Sequence, residues 1–138
     1  MDPVKSPSVS MLLEETRKYH ISLIGGSIPE FYNDRIYNTA MAMSPDSDVI
    51  TKHRKMHLFD VNIPGGICFQ ESQTLTAGNS FTVYHCSLPK ADLDIGIGVC
   101  YDMRFPELRL LIFASLSCLV LLIQRWDVKC LYIHLHLI

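Results

Sequence analysis

Between Leu93 and Cys100 the chain alternates strictly: Leu93, Ile95, Ile97 and Val99 on one side, Asp94, Gly96, Gly98 and Cys100 on the other. A period of two is that of a strand with one buried face. The thiol arrives alone on the otherwise bare face, just where the pattern runs out. Pro106 then fits the first turn of a helix, whose unpaired N–H groups favour a thiolate. Earlier in the chain, Val9, Leu12, Leu13 and Thr16 recur at helical spacing opposite Glu14, Glu15, Arg17 and Lys18, which predicts an amphipathic helix over 8–19. Ile21 to Ile24 reads as a short buried strand closed by Gly25-Gly26. Asn33-Asp34 reads as a hairpin loop leading into a strand from Ile36 to Met43. Turn chemistry marks Ser44-Pro45-Asp46-Ser47, and loops are predicted at Pro64-Gly65-Gly66 and Ala77-Gly78-Asn79, followed by a strand from Phe81 to Cys86. Helix, strands and helix in this order predict an α/β layered domain.

The last part of the chain changes character. Leu110 to Ile123 carries no charge and is broken only by Ser115 and Ser117, and Trp126 to Ile138 is again mostly apolar. The first stretch is shorter than the ~20 residues of a helical membrane span, so the expectation is a buried helix followed by a strand, without membrane contact. A membrane-associated or unfolded tail is the alternative.

Composition narrows the partners. The 138 residues carry a net charge of -2, and the only dense basic run is Lys52-His53-Arg54-Lys55, too short to track a nucleic-acid backbone. Five cysteines at 68, 86, 100, 118 and 130 are odd in number and include no C-x-x-C pair, so neither a disulfide framework nor a zinc cage is expected. Together with an N-terminus that lacks a secretory pattern, this points to a reducing, cytoplasmic setting, with an organelle as the alternative. No cofactor is expected. His53 and His57, four apart, would suit a metal on one helix face but come with no placed carboxylate; packing and hydrogen bonding behind Lys55 is the simpler role for His57. Gly96 and Gly98 lie within a strand rather than after it, which argues against a dinucleotide turn and for room around the thiol. Cys68, Cys86, Cys118 and Cys130 read as apolar filler, and spacing alone leaves that reading open for Cys100 as well.

Ordered blocks decide in favour of chemistry. L-I-G-G-S-I-P-E at 23–30, Y-N-T at 37–39, K-H-R-K-M-H-L-F-D at 52–60, F-Q-E-S-Q-T-L-T-A-G at 69–78 and G-V-C-Y-D-M-R-F-P-E-L at 98–108 resemble successive blocks of the nitrilase superfamily of carbon–nitrogen hydrolases, in its omega-amidase, Nit2-like branch. The resemblance implies a partial αββα sandwich, incomplete on its N- and C-terminal sides, over residues 8–111, with a divergent hydrophobic tail at 112–138. It implies Cys100 as nucleophile, Lys55 and the backbone N–H of Tyr101 as oxyanion donors, and Glu71 as a supporting carboxylate. It further implies small amide substrates, short dicarboxylic monoamides such as 2-oxoglutaramate, and homo-oligomers or association with a homologue. The family's general-base glutamate, in an L-P-E segment on an early strand, has no counterpart, because counting back from Lys55 runs off the N-terminus. Glu14 and Glu15 on the predicted surface helix and Glu30, behind a proline in a predicted loop, are poor stand-ins. Compared with close relatives, P-G-G-I at 64–67 lacks a lysine at the second glycine, and the stretch from His85 to Asp94 is longer. The expectation is therefore an amidase by descent whose own turnover is impaired, with a non-catalytic fragment that binds a full-length relative as the alternative.

Overall fold

The computed structural model describes residues 6–46, 51–88, 91–108, 110 and 119–123. It opens with α1 (Pro7–Tyr19), where Pro7 occupies the first turn, Arg17 and Lys18 the last, and His20 caps the end in the left-handed conformation. Val9 and Thr16 are the buried residues of this helix, Val9 packed with Met41 and Met43 and flanked by Leu12, Leu13 and Ile28.

Strands β1 (Leu23–Tyr32), β2 (Arg35–Met43) and β3 (Thr51–Arg54) form an antiparallel sheet in that order. Asn33 and Asp34 both have positive φ, the signature of a tight two-residue turn whose twist matches the flanking strands. The expected hairpin is therefore present. The expected stop at Gly25-Gly26 is not: β1 runs through both glycines, with a register shift between Ile24 and Ser27. A β-carbon on Gly25 would stand 3.2 Å from a methyl of Leu12, so the glycine lets α1 lie close to the strand. Glu30 is consequently in a strand rather than a loop. Pro29 before it is tolerated because, among the described residues, β1 pairs only with β2 and is an edge strand.

A small hairpin, β4 (Asp60–Asn62) with β5 (Cys68–Gln70), follows, and then a 3₁₀ turn at Glu71–Gln73. The second main sheet places β7 (Ala91–Val99) between antiparallel β6 (Thr82–Leu88) and parallel β8 (Leu119–Ile123). Residues 119–123 were expected in a buried helix. Their run of Leu, Val and Ile instead suits a strand beside β7, since apolar runs of this length fit either element and β-branched content tips the balance. Residues 47–50 and 124–138, with the remainder of the expected tail helix and final strand, lie outside the described residues.

The core lies between the two sheets. Ile24, Ala40 and Ala42 face Tyr84, Cys86, Ile95, Ile97 and Val99, and the Tyr84 hydroxyl donates to the Met43 carbonyl at 3.0 Å. Along β2 the faces alternate, Ala40 and Ala42 toward the other sheet and Met41 and Met43 toward α1. Residues 106–108 are helical, and Leu108 packs with Met56, Val83 and Phe105. Helix, sheet, sheet and helical turn thus stack as a partial αββα sandwich, which places the end of β7 beside the end of β3.

Candidate active site

Strand β7 ends at Val99, and Cys100 opens a 3₁₀ turn over Cys100–Arg104. Cys100 has φ of 52°, a left-handed conformation that a non-glycine residue adopts only where its surroundings enforce it. Its side chain is half-buried against the inter-sheet core. The strand-end thiol of the sequence pattern is therefore present, held on a sharp turn.

Lys55 follows the last residue of β3. Its backbone N–H donates to the Asn38 carbonyl and its carbonyl accepts from the Gly78 N–H, both at 2.8 Å. A β-carbon on Gly78 would fall 2.2 Å from the Arg54 carbonyl oxygen, so only glycine allows this approach. The ammonium is 1% exposed and donates to Glu71 Oε2 at 2.5 Å. The same oxygen accepts from the Phe59 N–H at 2.9 Å, and the Glu71 N–H donates to the Phe59 carbonyl at 3.2 Å. Glu71 is thereby fixed by backbone before it meets the lysine. A buried ammonium and carboxylate are tolerable only as such a pair.

Contacts from the residues after the thiol bring the two parts together. The Tyr101 ring lies edge-on to Phe59 at 5.0 Å and to Phe105 at 5.6 Å, and Phe105 stacks on the His57 ring at 3.7 Å. Asp102, fully buried, accepts from the backbone and ring of His57 and from the ring of His53. Burial pushes the Asp102 carboxyl up, but donation from His53, Val99 and His57 outweighs it and holds the group below its ordinary range. His53 lies within β3 while His57 lies beyond it, so the two do not share a helix face; their rings meet on a carboxylate. His57 does pack and hydrogen-bond beside the lysine segment, through Asp102 and Phe105.

Glu30 is a second buried carboxylate, accepting from Arg54 Nε at 2.8 Å, Arg54 Nη2 at 3.0 Å and Thr39 Oγ1 at 2.7 Å, with Lys52 at 3.5 Å. The Arg54 guanidinium sits against the rings of Tyr37 and Tyr32. Burial raises the Glu30 pKa, yet the Arg54 and Thr39 hydrogen bonds and the cations bring it to about 2. Glu30 is thus ionised and tied to Arg54, Thr39 and Lys52.

Neither Asp102 nor the Glu30 network follows from the sequence pattern alone. Asp102 had one local signal: an acidic residue three positions after a strand-end residue, placed to accept its N–H as a helix cap does.

Known proteins resemble this chain in sequence and in fold. The carbon-nitrogen hydrolase family profile matches residues 3–131. A chloroplastic omega-amidase of Arabidopsis thaliana is 49% identical over 106 residues, 77% of this chain and 28% of the relative. An omega-amidase of Mus musculus is 43% identical over 120 residues, 87% of this chain and 42% of the relative. Among solved structures, Saccharomyces cerevisiae Nit3, of branch 10 of the nitrilase superfamily, superimposes with a TM-score of 0.70 at 35% identity, covering 88% of this chain and 41% of that one. The chain thus spans less than half the length of these relatives.

Proposed function

Because the chain belongs to the carbon–nitrogen hydrolase family and carries a strand-end thiol beside a buried lysine–glutamate pair, we propose that it holds the nucleophile half of an omega-amidase site. The observation that carries this reading is the Lys55–Glu71 contact at 2.5 Å, fixed by the Phe59 backbone and joined through Phe59, Tyr101 and Asp102 to the Cys100 turn. Omega-amidases stand among its relatives at 43–49% identity.

In this reading the Cys100 thiolate attacks the terminal amide carbon of a short dicarboxylic monoamide such as 2-oxoglutaramate. The carbonyl π pair moves to oxygen, and the oxyanion is held by the Lys55 ammonium and the Tyr101 N–H. Collapse breaks the C–N bond, the nitrogen leaves as ammonia after gaining a proton, and a Cys100 thioester remains. Water then adds to the thioester, releasing the acid and returning the thiol. Glu71 keeps the lysine aimed. Among the described residues, the buried carboxylates are all engaged, which leaves proton transfer to the leaving nitrogen and from water without an agent. Glu71 is engaged by Lys55, Glu30 by Arg54, and Asp102 by two histidines.

We therefore expect negligible turnover by this chain alone, since general acid–base help is worth roughly 100- to 10,000-fold. Ammonia release from 2-oxoglutaramate tests this, with Cys100→Ala as the blank. Robust release that vanishes in Cys100→Ala would mean that another group supplies the base.

A further inference from the structure

We propose that Asp102 is the positioning residue that holds the Cys100 turn in register with the Lys55 segment. This deepens the nucleophile reading above and rests on it.

The carboxylate collects four donors. Oδ2 accepts from the Val99 N–H at 2.9 Å and from His53 Nε2 at 3.3 Å; Oδ1 accepts from the His57 N–H and from His57 Nδ1, both at 2.8 Å. The Val99 bond closes a loop over Cys100 itself, from the residue before the thiol to the second residue after it. It therefore acts where φ is 52° and the backbone needs enforcement. The three histidine bonds reach the residues two before and two after Lys55. One buried carboxylate thus fastens the thiol turn to both flanks of the lysine.

Its partners are in turn braced. His53 Nδ1 lies 3.2 Å from Thr82 Oγ1 on β6, and the His57 ring stacks on Phe105. Because an ionised carboxylate only accepts, His57 must carry a proton on Nδ1 and His53 one on Nε2. An asparagine has one acceptor oxygen in place of two, so it cannot serve both the Val99–His53 pair and the His57 pair.

Charge and position predict opposite signs. Removing an anion two residues from a thiol favours the thiolate and speeds alkylation. Misplacing the thiol relative to Lys55 slows it.

The test is peptide-mapped labelling of the full chain with iodoacetamide, scoring Cys100 against exposed Cys68, with buried Cys86 reporting on the fold. In Asp102→Asn the Cys100-to-Cys68 ratio should fall roughly 10- to 100-fold while Cys86 stays protected. The fall should persist across a profile from about pH 6 to pH 9, as a merely structural role would not require. Should Asp102→Asn expose Cys86, His57→Phe decides: it keeps the ring stack and backbone donor, loses one ring bond, and should give a smaller fall in the same direction. An unchanged or raised ratio in a variant with Cys86 protected overturns the proposal. A parent whose Cys100 labels no faster than Cys68 overturns the nucleophile reading and the clamp with it, whereas a selective parent with unaffected variants overturns the clamp alone.

Discussion

Lys55 and Glu71 form an ion pair with almost no access to water, so each is stable only while the other is present. Lys55→Met leaves a buried carboxylate whose remaining donor, among the described residues, is the Phe59 N–H, and should destabilise the fold by about 3–5 kcal/mol, read from denaturant midpoints. Adding Glu71→Gln to that variant should recover much of the loss; if the double variant is less stable than the single, the pair is not the unit that matters. Glu30 supports a pH prediction. Its folded pKa of about 2 lies below the ordinary 4.5, so its stabilisation is complete above pH 4.5 and is lost as pH falls through about 2. Asp102, lowered as well, acts with the same sign. Melting temperature should therefore drop less steeply with acid in Glu30→Gln than in the parent, and parallel profiles would contradict the assignment. Cys100, Lys55 and Glu71 could be proposed from the sequence because motif blocks mark single residues. The networks of Asp102 and Glu30 could not, since most of their partners lie 9 to 49 positions away, which no local pattern displays.

Elements follow the same division. The Asn33-Asp34 turn and the alternation of β7 are short-range features, and both are present where the pattern put them. The passage of β1 through Gly25-Gly26 was hidden because glycines punctuate a chain in general, while here they serve a bulge beneath α1. Residues 119–123 were misread as helix because an apolar run has no period, and only pairing with β7 settles it. Gly78 is the sharpest element-scale test. Gly78→Ala drives a methyl into the Arg54 carbonyl, so the loop must withdraw from β3 and lose its bond to the Lys55 carbonyl. We expect a cost of about 1–3 kcal/mol in unfolding, together with reduced Cys100 reactivity. Full stability in that variant would show that the loop can move without disturbing the lysine.

At the scale of the whole molecule, the layered fold was legible from the order of elements, but its closure was not. Within the tail, expected to begin with a buried helix, residues 119–123 instead pair with one edge of β7 as β8. Among the described residues β1, β3, β6 and β8 are the outer strands of the two main sheets, and Met11, Tyr19, Ile67 and Leu110 are more than half exposed. We expect self-association or capture by a homologue, and a sharp melting transition from a monomer in size-exclusion chromatography would contradict it. The central claim, that this fold arms one of five cysteines, is tested most directly by competitive alkylation at neutral pH with peptide mapping. The account predicts that Cys100 is modified ahead of Cys68, Cys86, Cys118 and Cys130, and that Lys55→Met abolishes the lead. Equal labelling of all five in the folded chain would contradict it.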